Sequence, residues 1–96
     1  MAETPTREVG VDLQESGEDV RRMVLAIEKD NPGCRIAHLP GLIKVSAPGR
    51  LIIRRATVER ELAREWETHE FQLSIVSYYG HIGEYDDDEI VISWDH

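Results

Sequence analysis

The groups in this chain that could do chemistry are four histidines, one cysteine and nineteen carboxylates. Their spacing encodes little of it. His38, His69, His81 and His96 form no His-Glu-x-x-His pair, and none follows a glutamate by three residues, so the helical ligand sets of zinc and di-iron sites are not signalled. His81 with Glu84 and Asp86 could catch a metal ion, but a loop histidine beside solvated acids is the simpler reading. Asp86 to Glu89 lacks the spacing and central glycine of a calcium loop. Cys34 can form no internal disulfide and has no nucleophile signature around it, so it reads as a small apolar filler at a strand start. Ser74 and Ser77 lack the Gly-x-Ser-x-Gly elbow of a hydrolase. No glycine-rich phosphate cradle is present. Gly80-x-x-Gly83 has the outline of an RNA-binding GxxG loop, yet strands flank it and acids follow it. The carboxylates crowd turns and helix starts, and nothing forces two of them into an apolar pocket to work as acid and base.

What remains is contact chemistry. Ser77-Tyr78-Tyr79-Gly80-His81-Ile82-Gly83 reads as a loop with two aromatics and two glycines. Adjacent residues of an extended segment point opposite ways, so at least one tyrosine ring should be exposed. Exposed tyrosines beside a glycine hinge suit a binding surface, though one ring packed inside and the other capping it would also satisfy the pattern. The residues taken together suggest an interaction protein rather than an enzyme.

The elements that position this loop are built around Ile43–Trp66. Ile43 and Val45, then Leu51 and Ile53, alternate with polar neighbours on either side of Ala47-Pro48-Gly49, which predicts a hairpin. Thr57 is a candidate helix N-cap, and Val58, Leu62 and Trp66 fall on one face of a short helix. Before this unit, Val9, Val11 and Leu13 alternate in a first strand. Ser16-Gly17-Glu18-Asp19 opens a helix whose stripe is Val20, Met23, Val24 and Ile27. Asp30-Asn31-Pro32-Gly33 closes it. A short strand runs from about Cys34 to His38. After the unit, Phe71, Leu73 and Ile75 alternate in one strand, and Ile90, Ile92 and Trp94 in the last. The expected fold class is α+β, in the order β-α-β-β-β-α-β-β, with antiparallel-rich sheets and two helices packed on one side. Residues 1–7 read as a flexible tail and residues 8–96 as one domain.

Charge narrows the partners. The net charge is −8, but Cys34–Trp66 carries three acids and seven bases, whereas the 30 residues that follow carry eight acids and neither Lys nor Arg. So negative a total opposes nucleic-acid binding. The central bases could form a local patch or pair with the acidic ends; pairing is the simpler expectation. No apolar run approaches the ~20 residues of a membrane span. The N-terminus has no secretory pattern, and a cytoplasmic location is expected.

An ordered set of residues then carries a resemblance. Asp30-Asn31-Pro32-Gly33, Leu42-Ile43-Lys44-Val45, Arg50-Leu51 through Arg54-Arg55, Val58-Glu59 with Leu62 and Arg64, and Ser77-x-x-Gly80-x-Ile82 before an acidic turn occur in this order. The pattern resembles the regulatory (coupling, or effector) proteins of soluble bacterial multicomponent di-iron monooxygenases, nearest the phenol hydroxylase and toluene monooxygenase branch. It covers roughly Val9 to Trp94, and no single motif in it is specific. One departure is Ala63, where the family often has Gly. The resemblance implies a cofactor-free, non-catalytic protein that docks on the di-iron hydroxylase. There it raises turnover and the coupling of NADH oxidation, delivered by a reductase, to oxygen insertion. It implies hydroxylase contacts at Ser77, Tyr78, Tyr79, Gly80 and His81, then Asn31 and the N-terminal tail, then Arg54 and Arg55. No metal, nucleic acid or membrane is implied. The competing readings are a stand-alone protein- or RNA-binding module using the central arginines, and a small enzyme or metal carrier using His81 and the acids.

Overall fold

A computed structural model describes residues 7–94. Strands β1 (Glu8–Gln14), β2 (Arg35–Leu39), β3 (Leu42–Pro48) and β5 (Ile75–Tyr79) form a four-stranded sheet in the order β2-β3-β1-β5. Strands β4 (Arg50–Arg54), β6 (His81–Tyr85) and β7 (Glu89–Ser93) form a three-stranded sheet in the order β4-β7-β6. Every described pairing is antiparallel. Helix α1 (Glu18–Asp30) lies against β4 and against helix α2 (Arg55–Leu62). The fold is therefore α+β, as the alternation and the two helical stretches imply.

The core forms where the inner faces of both sheets meet α1. Val9, Val11 and Leu13 of β1 and Ile43 and Val45 of β3 are fully buried, as are Leu51, Ile53, Ile90 and Ile92 of the second sheet. The α1 stripe of Val20, Met23, Val24 and Ile27 joins them. Burial of each such side chain stabilises the fold by roughly 1.5–3 kcal/mol.

Several expectations are corrected. β3 and β4 do not form the expected hairpin: they lie in different sheets, and the chain crosses from one to the other at Pro48-Gly49. Thr57 lies inside α2 and is buried, and Arg54 occupies the N-cap position without a side-chain cap. Gly17, not Ser16, stands at the N-cap of α1. Helix α2 stops at Leu62 because Ala63 takes a left-handed conformation, φ 58°. Trp66 is still buried, but beyond the helix, where its N–H donates to Glu59 Oε2 at 2.9 Å. The expected strand over Phe71–Ile75 is mostly a 3₁₀ helix, Thr68–Leu73, opened by a reciprocal Glu67–Glu70 capping box. The expected loop over residues 77–83 is the larger part of β5 and β6. Of the expected tail, residues 1–6 lie outside the described residues. Arg7 is anchored: its carbonyl accepts from Gly49 N at 2.8 Å, and its guanidinium sits 4.3 Å from the Trp94 ring centroid.

Candidate partner-binding site

Residues 75–85 are one long strand bent at Gly80, and the bend moves the chain from one sheet to the other. Gly80 has φ +124°, and a Cβ there would lie 2.8 Å from Ile92 Cγ2 and 3.0 Å from Val9 Cγ1. Only glycine fits both the conformation and the space. β5 is an edge of the first sheet and β6 an edge of the second, so this bent strand forms an open edge of both. Register irregularities at Val76 and Gly83 sit on either side of the bend. Such bulges twist an edge and re-aim its side chains.

The side chains on this edge divide by face. Tyr78 pairs with Val11 across β1 but extends past the core, with 48% of its surface exposed. Val76, on the same strand, is 60% exposed, and Leu73, at the end of the preceding 3₁₀ helix, is 80% exposed. Tyr79 pairs with Gly10 on the opposite, outer face. A side chain at Gly10 would collide with the Tyr79 ring, 2.6 Å from Cζ, so the glycine makes the ring's seat. Ser77 donates to Asp12 Oδ2 at 2.7 Å, and Lys44 Nζ reaches Asp12 Oδ1 at 3.6 Å. His81, opposite Ser93, is exposed.

The remaining candidates sit elsewhere. Asn31 is buried at the end of α1, and its carboxamide is used within the fold. Asn31 Nδ2 donates to the carbonyls of Ile27 and Ile52, each at 2.7 Å, and Oδ1 accepts from Ile52 N at 2.9 Å. The side chain thus stands in for a strand partner on the open edge of β4. Arg54 ends β4, exposed, on the rim of a depression that Asn31 also lines. Arg55 is held by Glu59 at 3.3 Å and reaches the Asp87 carbonyl at 3.4 Å. The structure therefore gathers Ser77–His81 at the β5–β6 bend and gathers Asn31 with Arg54 and Arg55 around β4. β4 and β6 are opposite edges of one sheet.

Sequence reasoning missed Leu73, Val76 and Asp12. Alternation of Phe71, Leu73 and Ile75 put Leu73 in a core strand, and only the Glu67–Glu70 capping spacing could have shown otherwise. Val76, one step out of phase with Ile75, marks the bulge. Asp12 gave no signal, because cross-strand register is not written in local sequence.

The electrostatics are local. Lys44 meets Asp12; Arg35, Arg55 and Arg64 pair with Glu8, Glu59 and Asp19. Three of the seven central bases, Arg35, Lys44 and Arg64, thus pair with acids of the flanking segments, and Arg55 pairs within the central block. The Trp66 N–H, and then Arg55, hold the Glu59 carboxyl below the usual glutamate range against the opposing pull of desolvation. Burial pushes the Tyr85 phenol up, and its hydroxyl donates to the Thr68 carbonyl at 3.0 Å. Among the described residues, no three His, Cys, Asp or Glu side chains are grouped to hold a metal ion. No described helix is long and apolar enough to cross a membrane. What the arrangement offers is an exposed apolar and aromatic edge, which is equipment for contact.

Comparisons with known proteins bear on what such an edge meets. The model of the MmoB/DmpM family matches residues 7–93. The phenol 2-monooxygenase stimulatory component DmpM of Pseudomonas sp. (strain CF600) is 38% identical over 80 residues, which is 83% of this chain and 88% of that protein. A chain in the structure of a phenol hydroxylase–regulatory protein complex matches with a TM-score of 0.85 and 31% identity, covering 93% of this chain and 100% of that one. The soluble methane monooxygenase regulatory protein B matches with a TM-score of 0.70 and 15% identity, over 99% of this chain and 70% of that one; this likeness is one of fold alone.

Proposed function

The chain belongs to the MmoB/DmpM family, and on that premise we propose that it is the cofactor-free, non-catalytic regulatory component of a multicomponent di-iron monooxygenase. It docks on the hydroxylase and raises turnover and the coupling of NADH oxidation, supplied through a reductase, to oxygen insertion. Phenol is the favoured substrate class of that hydroxylase, on the likeness to a phenol 2-monooxygenase stimulatory component; toluene or alkene oxidation is the wider range. The protein works in the cytoplasm as one domain over residues 8–96, with residues 1–7 as an N-terminal extension.

The observation that carries the docking site is the bent β5–β6 strand. It is an open edge of both sheets and presents Val76 and Tyr78 to solvent beside Gly80, with Leu73 exposed just before it at the end of the 3₁₀ helix. An apolar edge rimmed by polar groups is the composition of an interface centre. Ser77, Tyr79 and His81 complete the contact set. Arg54 and Arg55 form its outlying part, and Asn31 supports it by holding β4. The regulatory effect needs no chemistry from this chain. A partner that binds one state of the hydroxylase more tightly than another shifts it toward that state, by as much as the two affinities differ.

Purified hydroxylase and reductase, assayed for phenol turnover and NADH consumed per product with and without this protein, test the reading. Addition should raise the rate and bring the ratio toward one. Absence of both binding and stimulation across phenol, toluene and alkene hydroxylases contradicts it.

A further inference from the structure

We infer that Asp12 is a positioning residue of the docking surface, fixing Ser77 and Tyr79 from the neighbouring strand; the inference rests on the hydroxylase reading above. Lys44, Asp12 and Ser77 lie in one cross-strand row on the outer face of the four-stranded sheet, from β3 through β1 to β5. Asp12 is the middle of the row, and its side chain is 15% exposed. Its Oδ2 accepts the Ser77 hydroxyl at 2.7 Å. Its Oδ1 is shielded, accepts no hydrogen bond, and has the Lys44 ammonium 3.6 Å away. The same ammonium stands 5.9 Å from the Tyr79 ring centroid, within cation–π range.

One carboxylate thus governs both outward-facing candidates of β5. It orients Ser77 directly, through a short charge-assisted bond. It holds Lys44, and Lys44 steadies the ring of Tyr79 over Gly10. β5 is an edge strand, paired on one side only, so without this row its outward groups would be free to rotate. Fixing them before the partner arrives removes an ordering cost from the docking step. The row also keeps a cation and an anion paired on an open face, which limits non-specific association.

The test is a double-mutant cycle on hydroxylase affinity, with full-length protein and purified hydroxylase. Asp12→Ala should weaken binding about tenfold, the loss expected for one oriented charge-assisted contact. Ser77→Ala should weaken it less, because Asp12 also holds Lys44 beside Tyr79, and the double variant should bind hardly more weakly than Asp12→Ala, because both lose the Ser77 contact. Asp12→Asn retains an acceptor for Ser77 but loses the Lys44 charge. It should keep most of the affinity at high salt and lose part of it at low salt. Ser77→Thr, which keeps the hydroxyl, should restore binding. Thermal unfolding of each variant excludes loss of fold. Additive losses, or Asp12→Ala binding like wild type while wild type binds well, overturn this inference and leave the docking assignment standing. Wild type failing to bind any hydroxylase overturns both.

Discussion

The two edges of the three-stranded sheet are treated in opposite ways. At the β4 edge, the Asn31 carboxamide occupies both backbone groups of Ile52 and a carbonyl at the end of α1. At the other edge, β6 continues from β5 through Gly80, and no described strand pairs with its outer side. An unpaired edge invites another chain, and natural proteins commonly block or cover one. Here one edge is closed with a buried side chain, and the other is left open and runs back through Gly80 into the β5 edge of the four-stranded sheet, which carries the exposed Val76 and Tyr78. The contrast separates two meanings of a candidate residue. Asn31 and Tyr78 both belong to the resemblance set, but the first spends its polar atoms inward and the second shows its ring outward. A substitution at Asn31 should act through the fold, and one at Tyr78 through the partner.

That contrast can be broken by experiment. The largest stability loss is expected for Asn31→Ala, which leaves three buried backbone groups without partners. About 3 kcal/mol is the scale for such a loss, read from denaturant unfolding. If the variant is as stable as wild type, the β4 edge is not closed in the way described. Gly80→Ala comes next, at about 2–3 kcal/mol, because the new Cβ meets Ile92 and Val9 at a positive φ. A well-folded Gly80→Ala protein with unchanged stability would mean the bend relaxes freely.

Glu59→Gln sharpens the account of how α2 is tied down. The Glu59 carboxyl, held below its usual range mainly by the Trp66 N–H, contributes stability above the ordinary glutamate pKa of 4.5. That contribution is lost as pH falls through the lower folded value. The melting temperature of Glu59→Gln should therefore lie below wild type at neutral pH, and the gap should close on acidification. A gap that stays constant with pH would contradict the assignment. The smallest effect has the opposite sign. Ala63 holds φ 58°, so Ala63→Gly should stabilise the protein by up to about 1 kcal/mol, glycine's freedom in the unfolded chain offsetting part of the relief.

Local patterns made α1, β3, β4 and β7 legible as elements, because their apolar residues repeat with the period of their own element, but the expected pairing of β3 with β4 was wrong, since the two strands belong to different sheets. Val20, Met23, Val24 and Ile27 could serve only a helix, and all four are buried. The segment after α2 was not legible in this way. Phe71, Leu73 and Ile75 alternate like a strand, yet only Phe71 is fully buried, and the Glu67–Glu70 box winds the chain into a 3₁₀ helix. Ser77–Gly83 looked like a loop because of its glycines, whereas Gly80 bends a strand between two sheets. The candidate contact residues at that bend were named from the sequence and the resemblance. Their arrangement on an open edge, and the Asp12 row behind them, depend on pairings between distant segments that no local window records. Ala63 illustrates the same limit. Alanine suits a helix by propensity, but here the chain leaves α2 at that residue through a left-handed turn whose N–H donates to the Glu59 carbonyl.

The most direct test of the central claim is hydroxylase stimulation by Tyr78→Ala, measured beside Asn31→Ala at a temperature where both are folded. Tyr78→Ala should unfold within about 1 kcal/mol of wild type, as exposed residues do, yet require roughly tenfold more protein for half-maximal stimulation. Asn31→Ala should show the reverse, a clear loss of stability with stimulation retained. If folded Tyr78→Ala stimulates the hydroxylase at wild-type concentrations, the open β5–β6 edge is not the docking site and the account is wrong.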